Sequence, residues 1–178
     1  MLITNEQIIN KEINKFITES RFHIITSRFN NKTWEENENY RSIHKKIGCI
    51  YCSPSPITSR VSIDSVVFIL EMNNDINKII GIGMVKNHPQ IQKYSVYENG
   101  NYNRYTFTGK YRIDRIELTE QEDKIMKIFD MLCFKGNRHM KRGQGLQLFP
   151  AEILYNLSSR INLVDCIEEM FKNRFYPK

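Results

Sequence analysis

Residues 61–89 read VSIDSVVFILEMNNDINKIIGIGMVKNHP and predict two β-strands joined by a polar turn at residues 73–77. Both runs are rich in Val and Ile, which suit the pleated surface of a sheet. The second run contains Gly81 and Gly83, which lack side chains where a neighbouring backbone or a ligand comes close. This segment therefore predicts a small β-barrel with a binding site on its rim.

The composition predicts one soluble domain over residues 1–178, because 40% of the residues are hydrophobic, enough for one core. No apolar run approaches the ~18 residues that span a bilayer, so no membrane contact is expected. The first residues, MLITNEQ, lack a basic region followed by an apolar core, which predicts an intracellular protein. Abundant Asn, Ile and Lys are typical of AT-rich coding, as in giant DNA viruses and some protists. We expect the cytoplasm or the nucleus, that of a host cell if the source is viral.

The order of patterns predicts an α+β fold in three parts. Residues 1–20 predict an N-terminal helix, because Thr4 or Asn5 can cap it and apolar residues recur at helical spacing. Residues 22–118 predict the β-barrel core. Residues 119–178 predict C-terminal helices, the first of them opened by a capping box. Within the core, strands are expected at residues 22–26, 47–52 and 106–118, a polar helix or irregular connection at 34–46, and a long hairpin or loop at 94–105.

A basic segment, residues 135–145, lies between two predicted helices and is the best candidate for phosphate contact. No acidic residue occurs from 131 to 151, and glycines give this loop the freedom to bring amide donors close to phosphates. The net charge of +6 and the isoelectric point near 9.1 also favour an anionic partner. A solvated loop between helices is the alternative interpretation. The predicted phosphate-binding residues are Lys135, Asn137, Arg138, His139, Lys141 and Arg142.

Trp34 is the only tryptophan, and its sequence neighbours are polar. A lone tryptophan is typically a core anchor. An edge position would instead let its ring stack on a base while Ser27, Asn30 or Asn37 offers hydrogen bonds to the base edge. Four tyrosines could add stacking surfaces or stabilise a hairpin through cross-strand pairs. They are Tyr94, Tyr97, Tyr102 and Tyr105.

Cys49 and Cys52 have the spacing of a zinc knuckle, and Cys133 with His139 could complete four ligands. Strand alternation would turn Cys49 and Cys52 to opposite faces, so buried thiols are the preferred interpretation.

Four carboxylates could in principle form a magnesium site for a nuclease. They are Asp64, Glu71, Asp114 and Glu117, and their spacing matches no metal motif. We therefore predict no catalytic residue, no metal and no cofactor.

Three motifs occur in an order that resembles the PUA-like superfamily, particularly its EVE, YTH and ASCH branches. Thr33-Trp34-Glu35, followed by Asn37, Tyr40 and Arg41, is similar to the Trp-Asp/Gly-Val-Arg-Asn region of EVE domains. Residues 63–70 resemble the Gly-Asp-x-Val-Phe-Phe strand. Residues 79–85, followed by His88-Pro89, resemble the Ile-x-Gly-Ile-Gly-x-Val strand. The resemblance covers about residues 22–115.

The resemblance implies a twisted β-barrel with flanking helices and a pocket for a base of RNA or DNA, often a modified one. If the base pocket of this superfamily is transferred to this sequence, Ser27, Asn30, Trp34 and Asn37 would line it, and Ser53, Pro54 and Ser55 would close it. The chain has one tryptophan, so it cannot build the full aromatic cage by which YTH domains hold a methylated adenine.

The first hypothesis is a non-enzymatic module that binds nucleic acid, RNA before DNA, with a base in the rim pocket and phosphates on the basic segment. One alternative is a metal-dependent enzyme that acts on nucleic acid. Another is a viral or structural component that binds a protein partner through its C-terminal helices, residues 162–178.

Overall fold

The computed structural model of the protein describes residues 4–177. Within this range the chain forms five α-helices and eight strands. The helices are α1 (Asn5–Glu19), α2 (Asn31–Ile43), α3 (Glu120–Phe134), α4 (Ala151–Ser158) and α5 (Leu163–Phe175). The strands are β1 (His23–Phe29), β2 (Cys49–Ser53), β3 (Val66–Asn73), β4 (Lys78–Lys86), β5 (Gln90–Ile91), β6 (Tyr105–Gly109), β7 (Tyr111–Asp114) and β8 (Gln147–Leu148).

The strands form two sheets, which confirms the predicted α+β class. The larger sheet has the order β7-β4-β3-β1-β8, and only its β1–β3 pair is parallel. The smaller sheet is antiparallel with the order β2-β6-β5. Within residues 4–177 these sheets do not close into the predicted barrel, because β5 and β8 are two-residue edge strands that pair on one side only.

The chain passes directly from the smaller sheet to the larger one at Lys110, the single residue between β6 and β7. The predicted strand at residues 106–118 is therefore two strands in different sheets. It ends in a short 3-10 helix, Arg115–Glu117, which Asp114 caps by accepting a hydrogen bond from Ile116 N. Gly109 permits the crossing, because a Cβ there would overlap the Met84 carbonyl oxygen of β4.

The predicted first helix is confirmed as α1, which Thr4 and Gln7 open with a capping box. Residues 1–3 of that prediction, and residue 178 of the predicted helical end, lie outside the described residues. The predicted polar connection at residues 34–46 is the helix α2, which begins earlier because Asn30 and Thr33 also form a capping box. The predicted hairpin or loop at residues 94–105 is a loop that contains a 3-10 turn, Gly100–Asn103, and ends where Tyr105 begins β6.

Two hydrophobic cores lie on opposite faces of the larger sheet, because neighbouring strand residues point to opposite sides. On β1, Ile24 packs into the core shared with α3, α4 and α5, whereas Ile25 packs into the core shared with the smaller sheet. Trp34 of α2 packs against the second core. No helix within residues 4–177 combines the length and the apolar character needed to cross a membrane.

Gly81 and Gly83 make room for side chains of the protein itself. A Cβ on Gly83 would overlap the hydroxyl of Tyr51, and a Cβ on Gly81 would overlap the Glu71 carboxylate and the Arg112 guanidinium. The sequence interpretation placed a backbone or a ligand at these glycines, and the structure places a buried polar cluster there. The fold thus explains this glycine pattern without a rim site at that point.

Candidate functional site

A cavity of about 540 Å³ lies beside β1 and the start of α2. That volume lies within the range of ~300–1,000 Å³ in which proteins hold small molecules. Its walls come from the end of β1, the first turn of α2, the loop at residues 97–102 and residues 143–145 of the basic segment. Segments far apart in sequence therefore meet at one concave surface.

The α2 wall is fixed by hydrogen bonds at the start of the helix. Asn30 Oδ1 accepts from Thr33 N at 2.8 Å, and Thr33 Oγ1 accepts from Asn30 N at 3.0 Å. Asp75, in the β3–β4 turn, accepts a hydrogen bond from Asn31 N at 2.8 Å. A carboxylate at a helix N-terminus complements the helix dipole, so this end of α2 is already partly neutralised.

The loop wall carries two aromatic rings. Tyr97 and Tyr102 lie with their ring centroids 6.4 Å apart in an edge-to-face arrangement. The side chain of Asn103 holds this loop by accepting from the backbone amides of Val96 and Tyr97, both at 3.0 Å. Tyr97 is buried and Tyr102 is half-buried, so Tyr102 is the more accessible ring at the cavity.

The third wall belongs to the basic segment, which is held next to the cavity by its backbone. Arg28 Nε donates to the Met140 carbonyl at 2.6 Å, and Asn74 Nδ2 donates to the Lys141 carbonyl at 3.2 Å. Gly143 and Gly145 have φ angles of 141° and 68°, which favour glycine. These contacts fix the otherwise irregular segment relative to β1.

The basic segment leaves its cations free. Within residues 4–177, Lys135, Arg138, Lys141 and Arg142 have no carboxylate within 4 Å. Lys135, Arg138 and Arg142 are exposed. At the α2 side of the cavity, Lys32 pairs with Glu98 at 2.5 Å, and Glu36 accepts from Glu98 N at 3.1 Å. The lysine on the α2 side is thus paired, whereas the cations of the basic segment are unpaired and lie outside the cavity lining.

The structure brings together some of the predicted pocket residues. Ser27 and Asn30 both line the cavity. Ser53 lies next to the basic segment, where its Oγ accepts a hydrogen bond from Leu146 N at 3.3 Å. Ser53 and Pro54 also lie so close to Gly145 that a Cβ on this glycine would overlap Ser53 Oγ. Ser53, Pro54 and Ser55 lie outside the cavity lining.

Trp34 also lies outside the cavity lining and is half-buried. Its ring packs edge-to-face on Phe29 with centroids 5.1 Å apart. The guanidinium carbons of Arg41 and Arg112 lie 5.2 and 5.1 Å from its ring centroid. Two cations and a phenyl ring already contact the indole, so Trp34 joins α2 to the sheets instead of offering an open stacking surface.

Asn37 acts behind the cavity wall. Its Nδ2 donates to the Ile50 carbonyl at 2.8 Å and to the Tyr97 hydroxyl at 3.0 Å, and its Oδ1 accepts from Arg41 Nε at 2.9 Å. Burial raises the pKa of Tyr97 well above its ordinary value, so this hydroxyl stays protonated. Asn37 is buried and fixes a wall residue, and it has no group left for a ligand.

Each of the four carboxylates of the enzyme hypothesis already has a partner in the protein. Glu71 accepts from the Tyr51 hydroxyl at 2.7 Å and pairs with Arg112 at 2.7 Å. Burial lowers the pKa of Arg112, but the Glu71 and Asp114 carboxylates and the Tyr51 hydroxyl together raise this pKa overall. Asp114 pairs with the same guanidinium at 2.9 Å, Glu117 accepts from Asp114 N, and Asp64 pairs with His88 at the surface. The described residues contain no cluster of three or more side chains able to hold a metal.

The cysteines occupy both cores. Cys133 lies in the core beside α3, whereas Cys49 and Cys52 lie in the core on the other face of the larger sheet. Burial raises the pKa of each of these thiols to about 12. The structure therefore does not assemble the four residues of the zinc hypothesis, and the three buried thiols remain protonated near neutral pH.

Sequence reasoning missed Arg28 and Asn74 as residues of this site. Both hold the basic segment, and Arg28 lies on β1 while Asn74 begins the β3–β4 turn. The parallel pairing of β1 with β3 brings them together, since Phe29 is opposite Asn73. No local sequence pattern signals such a pair.

No protein-family model, curated protein or solved structure matches this chain significantly, so the site itself is the basis for assigning a function.

Proposed function

We propose that the protein binds single-stranded nucleic acid, RNA before DNA, with one unpaired base in the 540 Å³ cavity and neighbouring phosphates on the basic segment. The observation that carries the proposal is that two predicted base-contact residues and the end of the basic segment line one cavity, while the six predicted phosphate-binding residues lie outside its lining. Ser27 and Asn30 were predicted as base contacts, and residues 143–145 end the predicted phosphate-binding segment.

The cavity chemistry suits a base that has left its stack. Tyr102 offers a ring face or edge, and stacking of a base on an aromatic ring contributes about 1–3 kcal/mol. The hydroxyl of Ser27 and the amides of Asn30 and Gln144 can bond to base edges. A paired base within a duplex could not enter a concave site of this kind.

The resemblance to PUA-like domains remains part of the proposal. Two sheets enclose one core and are joined where β6 runs into β7, as expected of a partly open barrel. We place the base beside β1 and the start of α2, where the resemblance puts it. Tyr102, which lies outside the quoted motifs, takes the stacking role first considered for Trp34.

The basic segment is tested by the salt dependence of binding. Fluorescence anisotropy with a labelled single-stranded RNA compares the wild type with the double variant Arg138→Ala/Arg142→Ala across a salt series. Loss of two phosphate contacts should lower the slope of log affinity against log salt by about 1.4, or roughly 0.7 for each cation. The control, Arg60→Ala/Arg160→Ala, removes the same charge from two exposed residues outside the cavity lining. Equal slopes for all three proteins would exclude the basic segment as a phosphate contact.

The cavity is tested by Tyr102. Tyr102→Ala should weaken RNA binding about tenfold or more, since stacking contributes about 1–3 kcal/mol. Tyr102→Phe keeps the ring and should bind nearly as well as the wild type. Binding of the wild type to duplex RNA as tight as to single strands would contradict an unpaired base in the cavity.

A further inference from the structure

Arg28 is a partly buried cation in the wall of the cavity, and no carboxylate of residues 4–177 lies within 4 Å of it. Its Nε donates to the Met140 carbonyl, which is a neutral acceptor. Its Nη1 is buried and has no hydrogen-bond partner in the described part of the chain. Burial lowers the pKa of the guanidinium, which means that the surroundings do not compensate its charge.

Three other arginines that are buried or partly buried pair with carboxylates. Arg112 pairs with Glu71 and Asp114, and Arg115 pairs with Asp123 and Asp130. Arg174 pairs with Glu122. Arginine side chains removed from water are as a rule paired with carboxylates or phosphates. Within residues 4–177 the partly buried Arg41 also lacks a carboxylate within 4 Å, but its Nε donates to Asn37 Oδ1 and its guanidinium lies over the Trp34 ring. Arg28 differs from all four, because its Nη1 is buried without a hydrogen-bond partner and it lines the cavity.

A second unpaired atom lies at the same place. Asn74 also lines the cavity, and its Oδ1 is buried without a hydrogen-bond partner while its Nδ2 holds the Lys141 carbonyl. Arg28 and Asn74 thus both hold the basic segment through one atom and leave another polar atom unused. Unsatisfied buried polar groups cost free energy, and a bound ligand that satisfies them recovers it. Arg28 Nη1 is a donor and suits a phosphate oxygen, whereas Asn74 Oδ1 is an acceptor and suits a hydroxyl or amino group of the same nucleotide.

We propose that the cavity accepts a phosphate group of its ligand against Arg28, so that it binds a whole nucleotide and not only a base. The inference rests on the proposed function, because the nucleotide is the one whose base occupies the cavity. Arg28 then differs from Lys135, Arg138 and Arg142, which contact phosphates of the flanking strand outside the cavity.

The first measurement uses inorganic phosphate and thermal unfolding. Millimolar phosphate, compared with chloride at the same ionic strength, should raise the Tm of the wild type by about 2–4 °C through binding to the folded state. Arg28→Met should lose this rise, whereas the control Arg160→Met, at an exposed arginine outside the cavity lining, should keep it. An equal rise in all three proteins would show general stabilisation by phosphate and overturn the proposal.

Arg28→Lys separates anion binding from a structural role. Lysine keeps the positive charge but lacks the Nε donor that bonds to Met140. If Arg28 binds an anion, Arg28→Lys keeps part of the phosphate-induced rise in Tm. If Arg28 only holds Met140, Arg28→Met and Arg28→Lys both have a lower Tm than the wild type, but phosphate raises the Tm of each variant as much as it raises that of the wild type. This comparison also decides the question if Arg28→Met does not fold.

RNA binding distinguishes failure of this inference from failure of the proposed function. Arg28→Met should bind single-stranded RNA about tenfold more weakly than the wild type, as expected for loss of a charged hydrogen bond. If Arg28→Met binds RNA as the wild type does while Tyr102→Ala binds weakly, the inference fails and the proposed function stands. If the wild type does not bind RNA but its Tm responds to phosphate through Arg28, the proposed function fails and an anion site remains.

Discussion

At the scale of single residues, glycines determine whether the polar cluster fits between the sheets. Gly83 contacts the ring and hydroxyl of Tyr51, and Tyr51 donates a hydrogen bond to the buried Glu71. Glu71 is 1% exposed, so its charge depends on Tyr51 and Arg112. Moving Tyr51 would leave this carboxylate with fewer partners in a place that water does not reach.

Gly83→Ala is therefore expected to destabilise the protein by about 1–3 kcal/mol, because the added methyl group overlaps Tyr51. Urea unfolding followed by circular dichroism measures this change. Gly100→Ala is the matched control, since a Cβ there meets no atom within 4 Å, and we expect a change within about 0.5 kcal/mol. Similar stability of both variants would mean that Tyr51 is not tightly packed.

A second residue-scale prediction concerns Asn37, which connects α2 to β2 and to the cavity loop. Asn37→Ala leaves the buried Ile50 carbonyl and the Tyr97 hydroxyl without this donor, so we expect the free energy of unfolding to fall by about 2–4 kcal/mol. Asn39→Ala removes an exposed asparagine from the same helix and should change stability by less than about 0.5 kcal/mol. Urea unfolding of both variants tests the contrast, and an equally small effect would argue that Tyr97 is held by other contacts.

At the scale of elements, α3 and α5 are joined by an ion pair that also serves the α3 cap. Glu122 pairs with Arg174 of α5, and it accepts a hydrogen bond from Thr119 N at the start of α3. The hydrogen bond from Arg174 holds the pKa of the Glu122 carboxyl below its ordinary value. Because the pKa is lower in the folded state, the stabilisation is present above the unfolded pKa of about 4.3 and is lost as the pH falls through the folded pKa.

Glu122→Gln is accordingly expected to lower the free energy of unfolding by about 1 kcal/mol near neutral pH, and by progressively less below about pH 4. Thermal unfolding across a pH series measures the difference in stability from the wild type. Glu120→Gln, at an exposed residue of the same turn, should cost less than about 0.5 kcal/mol at neutral pH. A difference for Glu122→Gln that stays constant from pH 7 to about pH 3 would contradict the assigned role of its ionised form.

At the scale of the whole molecule, local patterns predicted the elements better than the site. The cap candidate Thr4, the capping box at Thr119 and the β-branched runs of β3 and β4 are local signals, and they predicted these elements correctly. The division of residues 106–118 between two sheets depends on contacts with β2 and β4, which are distant in sequence. The placement of Arg28 beside Asn74 likewise depends on the parallel β1–β3 pair. Such long-range pairings set the cavity, and no local pattern reveals them.

The terminal helices contribute differently to the fold, although both have apolar residues at helical spacing. Five residues of α5 are buried, whereas no residue of α1 is. Phe16 of α1 contacts Tyr155 of α4 edge-to-face at 5.9 Å, and the Tyr155 hydroxyl donates to Glu12. The apolar face of α5 is buried in the core, so this helix is required for the fold and its apolar face is not available to a partner.

Truncation separates these two roles. Removing residues 162–178 should abolish cooperative unfolding, because each buried side chain lost from α5 removes about 1.5–3 kcal/mol of stabilisation. Removing residues 1–19 should leave a folded protein that unfolds cooperatively and still binds single-stranded RNA. Its free energy of unfolding should be lower by about 1–3 kcal/mol, because α1 covers only the outer edge of its core. Calorimetry of both truncated proteins, with RNA binding of the second, tests this pair. A cooperative transition after loss of α5 would contradict its placement in the core, and loss of RNA binding with α1 would place part of the site outside the cavity.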